Sequence, residues 1–369
     1  MKKTIVHIVG ARPNFIKAAP VIHALNKEPI NNIIIHTGQH YDYNMSKTFF
    51  EELNIPEPHY NLGAGGGSHT TQTVNIMLGC ERVYNELKPD IVIVYGDINS
   101  CMAASVVASK MHLEGNKKIK IVHVESGLRS GDREMPEEIN RLITDSISDI
   151  LFVTSPIGLK NLEKEGVDSN KCHFVGNTMI DSLLTLLDKI TNSKIIDRLN
   201  ITEPYALITL HRASNVDSKE SLENMMDSIV KLSEYVKVVF PMHPRTKWRL
   251  DNFGISEKYE SIKNLLILEP LGYIDFMCLQ KNAKVIVTDS GGVQEESSYF
   301  NVPCLTVRDN TERPITIIEG TNRLIGTGYD NIIHEFHKLS GKNLKSSIKK
   351  WDGKSADRIV KILRREFKW

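Results

Sequence analysis

Short apolar runs alternate with longer amphipathic stretches from one end of the chain to the other. That alternation predicts βαβ units, a parallel sheet with helices laid on its faces. In the first half the predicted strands are TIVHIV, NIIIHT, DIVIVYG, KIKIVHVE and DILFVTS. In the second half they are YALITLH, VKVVFPMH, NLLILEP, KVIVTDS and VPCLTVR. The pattern pauses over GVDSNKCHFVGNTMIDSLL, which puts a domain boundary between Lys171 and Thr178. The expected organisation is a Rossmann-like domain over 1–172, a second over 173–350, and a charged amphipathic helix over 351–369 packing back on the first. Two doubly wound α/β domains whose strands end in short polar loops predict a ligand in a central cleft between their carboxyl edges.

Composition narrows the function classes. At 369 residues the chain is long for one core, which agrees with two domains. A net charge of +1 argues against a broad electrostatic footprint for nucleic acid or membrane, so neither is an expected partner. No apolar run approaches the roughly 18 residues of a membrane span. The run in MKKTIVHIVGARPNF is too short for a signal peptide. Five scattered cysteines, never in a C-x-x-C pair, read as reduced thiols in a cytoplasmic protein.

The polar residues that could carry chemistry cluster where predicted strands end. After the first strand, GARPNFIK supplies a turn glycine, Pro13 for the first helical turn, and the cations Arg12 and Lys17 near a helix N-terminus. That is either an anion site or a turn with solvated basic residues. Neither the dinucleotide pattern G-x-G-x-x-G nor the P-loop G-x-x-x-x-G-K-[ST] occurs there. Two later strands end in carboxylates, Asp97 after IVIVYG and Glu125 in IVHVES. Either alone reads as a cap or an ion pair, whereas two at neighbouring strand ends favour a functional pair. In MPEEINR, Glu137 and Glu138 fall in the first turn of a helix opening at Pro136, where the helix dipole alone would favour them.

In the second half LITLHR ends in His211 and Arg212, and VVFPMHPR in His243 and Arg245. Two histidines at strand ends, each near an arginine, suit an anionic ligand. Metal-ligand spacings of Cys and His are absent, so no metal is expected. In VIVTDSGGVQEE, Ser290, Gly291 and Gly292 join a strand to a helix beginning near Val293. Their small side chains leave room for a diphosphate against the helix N-terminus. Glu296, one turn further on, is within reach of a ribose diol. A tight βα turn without ligand is the competing reading. G-x-S-x-G is missing, so Ser290 is no nucleophile elbow.

Taken together, GARPNFIK, HTGQHYD, Gly96-Asp97, HVESGLR, MPEEINR, DSGGVQEE and TERP resemble the non-hydrolysing UDP-N-acetylglucosamine 2-epimerases, in order from Gly10 to about Gly326. The resemblance implies the two-domain fold of the B-type glycosyltransferases. It also implies interconversion of UDP-GlcNAc and UDP-ManNAc in a cytoplasmic homodimer without a cofactor, feeding surface polysaccharides. The family's route eliminates UDP across C1–C2 to give 2-acetamidoglucal, then adds UDP back with a proton on the other face of C2. The resemblance makes Asp97, Glu125 and Glu137 acid–base groups. Arg12, Lys17, His211 and Arg313 hold or activate the diphosphate. Ser290, Gly291 and Gly292 cradle it, His243 lines the site, Arg141 joins the substrate-binding set, and Glu296 binds ribose.

Gln39 and His40 are the family's regulatory positions. Relatives activated by substrate place an arginine in the helix after GGGSHTTQTVNIMLG, and here none occurs before Arg82, which weakens the case for activation. Ser126 stands where alanine is common, and Cys101 where threonine is. Competing readings are a 2-epimerase of a 2,3-diacetamido uronic acid UDP-sugar, a hydrolysing relative, a retaining glycosyltransferase, and a non-catalytic nucleotide-sugar sensor.

Overall fold

A computed structural model of the chain describes residues 2–39, 50–327, 330–339 and 342–369. It divides into two compact units, Met1–Thr185 with Lys349–Trp369, and Leu186–Ile348. The first is built on strands β1 (Thr4–Val9), β2 (Asn31–His36), β3 (Tyr60–Asn61), β4 (Ile91–Tyr95), β5 (Lys120–Ser126), β6 (Ile150–Val153) and β7 (Cys172–Phe174). They form one parallel sheet in the order β3-β2-β1-β4-β5-β6-β7. Every residue of β4 and β6 is buried, so these strands read as unbroken apolar runs, as strands covered on both faces must. The covering helices include α1 (Arg12–Leu25), α2 (His69–Leu87), α3 (Asn99–Lys110), α4 (Pro136–Ile147), α5 (Pro156–Lys164) and α6 (Thr178–Thr185).

The second unit repeats the plan with β8 (Tyr205–Thr209), β9 (Lys237–Pro241), β10 (Leu265–Leu268), β11 (Val285–Thr288), β12 (Cys304–Thr306) and β13 (Asn322–Leu324). Its parallel order is β10-β9-β8-β11-β12-β13. Longer helices here are α7 (Lys219–Ser233), α8 (Pro244–Asn252), α9 (Tyr273–Asn282), α10 (Gly291–Phe300) and α11 (Asp330–Leu339). Each sheet reverses its winding once, between β1 and β4 and between β8 and β11. Loops leaving the carboxyl ends on either side of such a reversal diverge and leave a crevice.

Within the two parallel sheets, β3, β7 and β13 escape the sequence pattern, because two or three residues are too few to show a period. The pause expected to separate the domains holds two of the first unit's own elements, β7 and α6. Helix α6 packs on α1, so the division between units falls after Thr185 and not between Lys171 and Thr178. Helix α12 (Ser355–Phe367) also belongs to the first unit and lies on α1. Its Ile359, Val360 and Leu363 are buried. Asp181 accepts the backbone N–H of Ala356 at 2.7 Å, and Arg364 Nη2 meets Glu28 Oε1 at 2.5 Å. Among the described residues no helix is long and apolar enough to cross a membrane.

Ile359 is wholly buried, so Ile359→Ala should cost about 2–5 kcal/mol through lost transfer energy and a cavity. Native-state hydrogen exchange should place the loss on α1, α6 and α12. An equal loss over β8–β13 would contradict a separate first unit.

Candidate active site

In the first unit the loops after β1 and β4 flank the winding reversal, and Asn14 ties them together. Its Oδ1 accepts the Gly10 N–H at 2.9 Å, and its Nδ2 donates to the Tyr95 carbonyl at 2.6 Å. Arg12 occupies the first turn of α1, half-exposed. Lys17, one turn further, points inward and is 4% exposed. Its Nζ donates to Glu125 Oε1 at 2.6 Å. Gly96, at φ +69°, makes room for the pair: a Cβ there would stand 2.7 Å from the Lys17 nitrogen. Glu125 itself adopts φ +75°, a left-handed conformation rare outside glycine, where the β5–β6 register shifts between Val124 and Ser126. Strain of this kind costs about 1–3 kcal/mol and persists where the surroundings over-determine it.

Asp97 ion-pairs with Arg141 Nη1. The same guanidinium donates to Glu138 Oε2 from Nε at 2.9 Å and from Nη2 at 2.6 Å. Glu138 also accepts the N–H groups of Ser130 and Gly131. Burial alone would raise the Glu138 carboxyl, but these hydrogen bonds and the Arg141 charge hold it below the ordinary carboxylate range. Arg141, expected among the substrate ligands, is 2% exposed with its guanidinium on the carboxylates of Asp97 and Glu138. Glu137 lies half-buried beside them in the first turn of α4.

A chain of amides runs behind Asp97. Asn140 Nδ2 donates to the Asp97 carbonyl and to Asn99 Oδ1, and Asn99 Nδ2 donates to Gln72 Oε1. Gln72 Nε2 then donates to the Gln39 carbonyl at 3.1 Å. Gln39 is thus joined to the Asp97 loop, and its own Oε1 accepts from the Ser100 backbone and hydroxyl. His40 lies outside the described residues.

The second unit gathers donors in the equivalent place. Asp289, at the end of β11, is fully buried and accepts the N–H groups of His211 and Arg212 and the Asn215 amide at 2.9–3.0 Å. His211 Nδ1 lies 3.0 Å from Asp289 Oδ1. Burial would raise the Asp289 carboxyl, but the charge and hydrogen bond of His211, with the Arg212 N–H and Asn215, bring it down to about 2. The His211 and His243 rings stand 5.1 Å apart. Ser290 occupies the N-cap position of α10 without a side-chain capping bond, and the helix starts at Gly291 and Gly292 with no acidic residue in its first turn. A Cβ on Gly291 would fall 2.4 Å from Glu312 Oε1, so the TERP loop lies directly against this helix end. Glu312 in turn meets Arg308 Nη2 at 2.8 Å, and Arg313 Nε meets Glu295 at 3.1 Å. Glu296 is buried at 3% exposure, with Tyr273 donating to it at 3.2 Å. Burial, helped by the Glu295 charge, raises its carboxyl to about 8.

The structure therefore brings together Lys17 with Glu125 and Asp97 with Arg141 in the first unit. In the second, His211 approaches His243, and Arg313 lies beside the α10 helix that Ser290 precedes and Gly291 and Gly292 begin. Sequence reasoning missed Glu138 as the glutamate that turns inward, Asp289 as the anchor of His211, and Asn14 as the tie between loops. Asp289 and Glu138 sit inside the motifs, but neighbouring carboxylates carry no mark of which one faces the protein.

The family model for UDP-N-acetylglucosamine 2-epimerase matches residues 23–364. The chain belongs to the UDP-N-acetylglucosamine 2-epimerase family. It is 47% identical to the UDP-N-acetylglucosamine 2-epimerase of Methanocaldococcus jannaschii, over 96% of this chain and 97% of that one. A crystal structure of the M. jannaschii epimerase in complex with UDP-GlcNAc and UDP superimposes with a TM-score of 0.92 at 45% identity, covering 99% and 100% of the two chains. A UDP-2,3-diacetamido-2,3-dideoxy-D-glucuronate 2-epimerase of Pseudomonas aeruginosa is 37% identical over 97% and 99%. Like these relatives the chain is an isomerase with the B-type glycosyltransferase fold.

Two stability measurements probe the site. Lys17→Met leaves Glu125 buried without its cation and should cost about 3–5 kcal/mol in denaturant unfolding, and a loss under about 1 kcal/mol would refute the pair's burial. The low-lying Asp289 carboxyl contributes stability above its unfolded value near 4, lost as pH falls through about 2. Wild-type protein should lose roughly 2 kcal/mol over that window that Asp289→Asn does not lose, and parallel curves would contradict the anchor.

Proposed function

We propose that this chain interconverts UDP-GlcNAc and UDP-ManNAc by eliminating UDP and adding it back. A base removes the C2 proton as the C1–O bond to UDP breaks, leaving 2-acetamidoglucal and UDP. Re-addition returns the UDP oxygen to C1 while an acid delivers a proton to the opposite face of C2. The observation that carries this reading is the pair of strand-end carboxylates, Asp97 and Glu125, each held by its own cation. A protein that only bound a dianionic ligand would gain nothing from negative charge there.

Asp97, Glu125 and Glu137 are the acid–base groups in this reading, with a contribution of about 10²–10⁴ expected from each proton transfer. Arg12, His211 and Arg313 take the diphosphate, over the helix end at Ser290, Gly291 and Gly292. Lys17 and Arg141 hold the carboxylates in place. His243 lines the diphosphate site and Glu296 reaches the ribose hydroxyls. The sugar is taken as N-acetylglucosamine because relatives at 44–47% identity bear that epimerase's name, against 37% for the uronic acid enzyme. In the same reading the enzyme acts in the cytoplasm as a homodimer, and its product supplies surface polysaccharide synthesis.

The test is incubation with UDP-GlcNAc in deuterated water without added cofactor, followed by NMR. UDP-ManNAc with deuterium at C2 and UDP still attached is the expected product. Free ManNAc would overturn the non-hydrolysing reading. Turnover of the diacetamido uronic acid UDP-sugar alone would overturn the substrate assignment.

A further inference from the structure

Behind the two carboxylates lies an ion pair to which neither the family motifs nor the mechanism assigns a task. His123, two residues before Glu125 on β5, is fully buried. Its Nδ1 lies 2.6 Å from Asp145 Oδ1 on α4, and its Nε2 lies 2.8 Å from the Gly96 carbonyl oxygen. A carbonyl can only accept, and so can an ionised carboxylate. Both ring nitrogens must then carry protons, which makes the ring an imidazolium.

Asp145 is ionised for good reason. Its Oδ2 accepts the Gly127 N–H at 3.0 Å and meets Arg129 Nη1 at 2.8 Å. Burial would raise this carboxyl, but the His123 charge and hydrogen bond, followed by Arg129 and the Gly127 N–H, hold it below the ordinary range. Arg129 is balanced further out by Glu165 at 2.6 Å. Two cations and two carboxylates thus neutralise one another with no charge left over.

The partners of this pair matter more than its charge. The Gly96 carbonyl belongs to the peptide that joins Gly96 to Asp97, so its orientation sets the direction in which Asp97 leaves the strand. The Gly127 N–H belongs to the turn immediately after Glu125 and Ser126, where the backbone is strained at φ +75°. Ser126 Oγ closes the same turn by donating to the His123 carbonyl at 2.7 Å. One ion pair therefore fastens both carboxylate-bearing turns. We propose that His123 and Asp145 are a positioning pair that fixes the Asp97 and Glu125 turns relative to one another for the C2 chemistry. The inference rests on the acid–base reading of Asp97 and Glu125 given above.

Asp145→Asn keeps the shape but replaces one acceptor oxygen by an amide that cannot take the Gly127 N–H. It should lower kcat for UDP-GlcNAc about 10²-fold, the effect of misplacing reacting groups by about 1 Å, with KM and UDP affinity within twofold of wild type. Folded variant with wild-type kcat, or with KM raised at unchanged kcat, would overturn the proposal. Nitrogen NMR of histidine-labelled wild-type enzyme supplies a readout independent of the variant's folding. Both His123 ring nitrogens should bear protons in the folded enzyme, and a singly protonated ring would overturn the assignment. If wild-type enzyme turns over no UDP-sugar, the acid–base reading falls while the tie is still decided: the Gly96–Asp97 peptide must move in an Asp145→Asn crystal structure, and an unmoved turn would refute it.

Discussion

Everything in the first unit's site is arranged around one buried contact, the Lys17 ammonium on the Glu125 carboxylate. Both side chains are buried, and a buried ion pair repays its desolvation only when its geometry is held closely. The surrounding structure supplies that hold. Helix α1 delivers the lysine from the β1 loop, Gly96 leaves the space that a side chain would occupy, and the break in β5 register turns Glu125 into a left-handed conformation. Each of these features would be a defect in an ordinary sheet. Together they place a carboxylate at a strand end with one oxygen committed to a cation.

The two units solve different problems at the same topological place. Around the β1/β4 reversal the side chains are carboxylates, each matched with a buried cation. Around the β8/β11 reversal Asp289 faces inward and serves as an acceptor, so that the His211 and Arg212 loop is fixed by its backbone. The neighbouring helix α10 begins on glycine with no acidic residue in its first turn, the environment that favours an anion. In the proposed reading the carboxylates of one unit transfer protons and the donors of the other hold a diphosphate, as a reaction that both breaks a C–H bond and releases a nucleotide requires.

Much of this was legible in the sequence. The strands of a parallel sheet are covered on both faces, so β1, β4, β5, β8 and β11 stood out as apolar runs. The motif residues stood out because they follow those runs directly. Edge strands such as β7 were too short to register, and β7 with α6 was read as a pause between domains when both are parts of the first unit. Side-chain direction was beyond reach. Glu137 and Glu138 are adjacent in sequence, and only the packing of α4 shows that Glu138 turns to Arg141. Lys17 read as an open cation at a helix N-terminus, because its partner Glu125 is 108 positions away.

The most direct test of this account is the rate at which Glu125→Gln exchanges the C2 hydrogen of UDP-GlcNAc with deuterated water, measured beside its affinity for UDP. The amide keeps the size of the side chain and removes its capacity to take or give the proton. UDP affinity near wild type with exchange reduced at least about 10²-fold is the predicted result. Exchange and epimerisation at near-normal rates in this variant and in Asp97→Asn would remove the strand-end carboxylates from the mechanism.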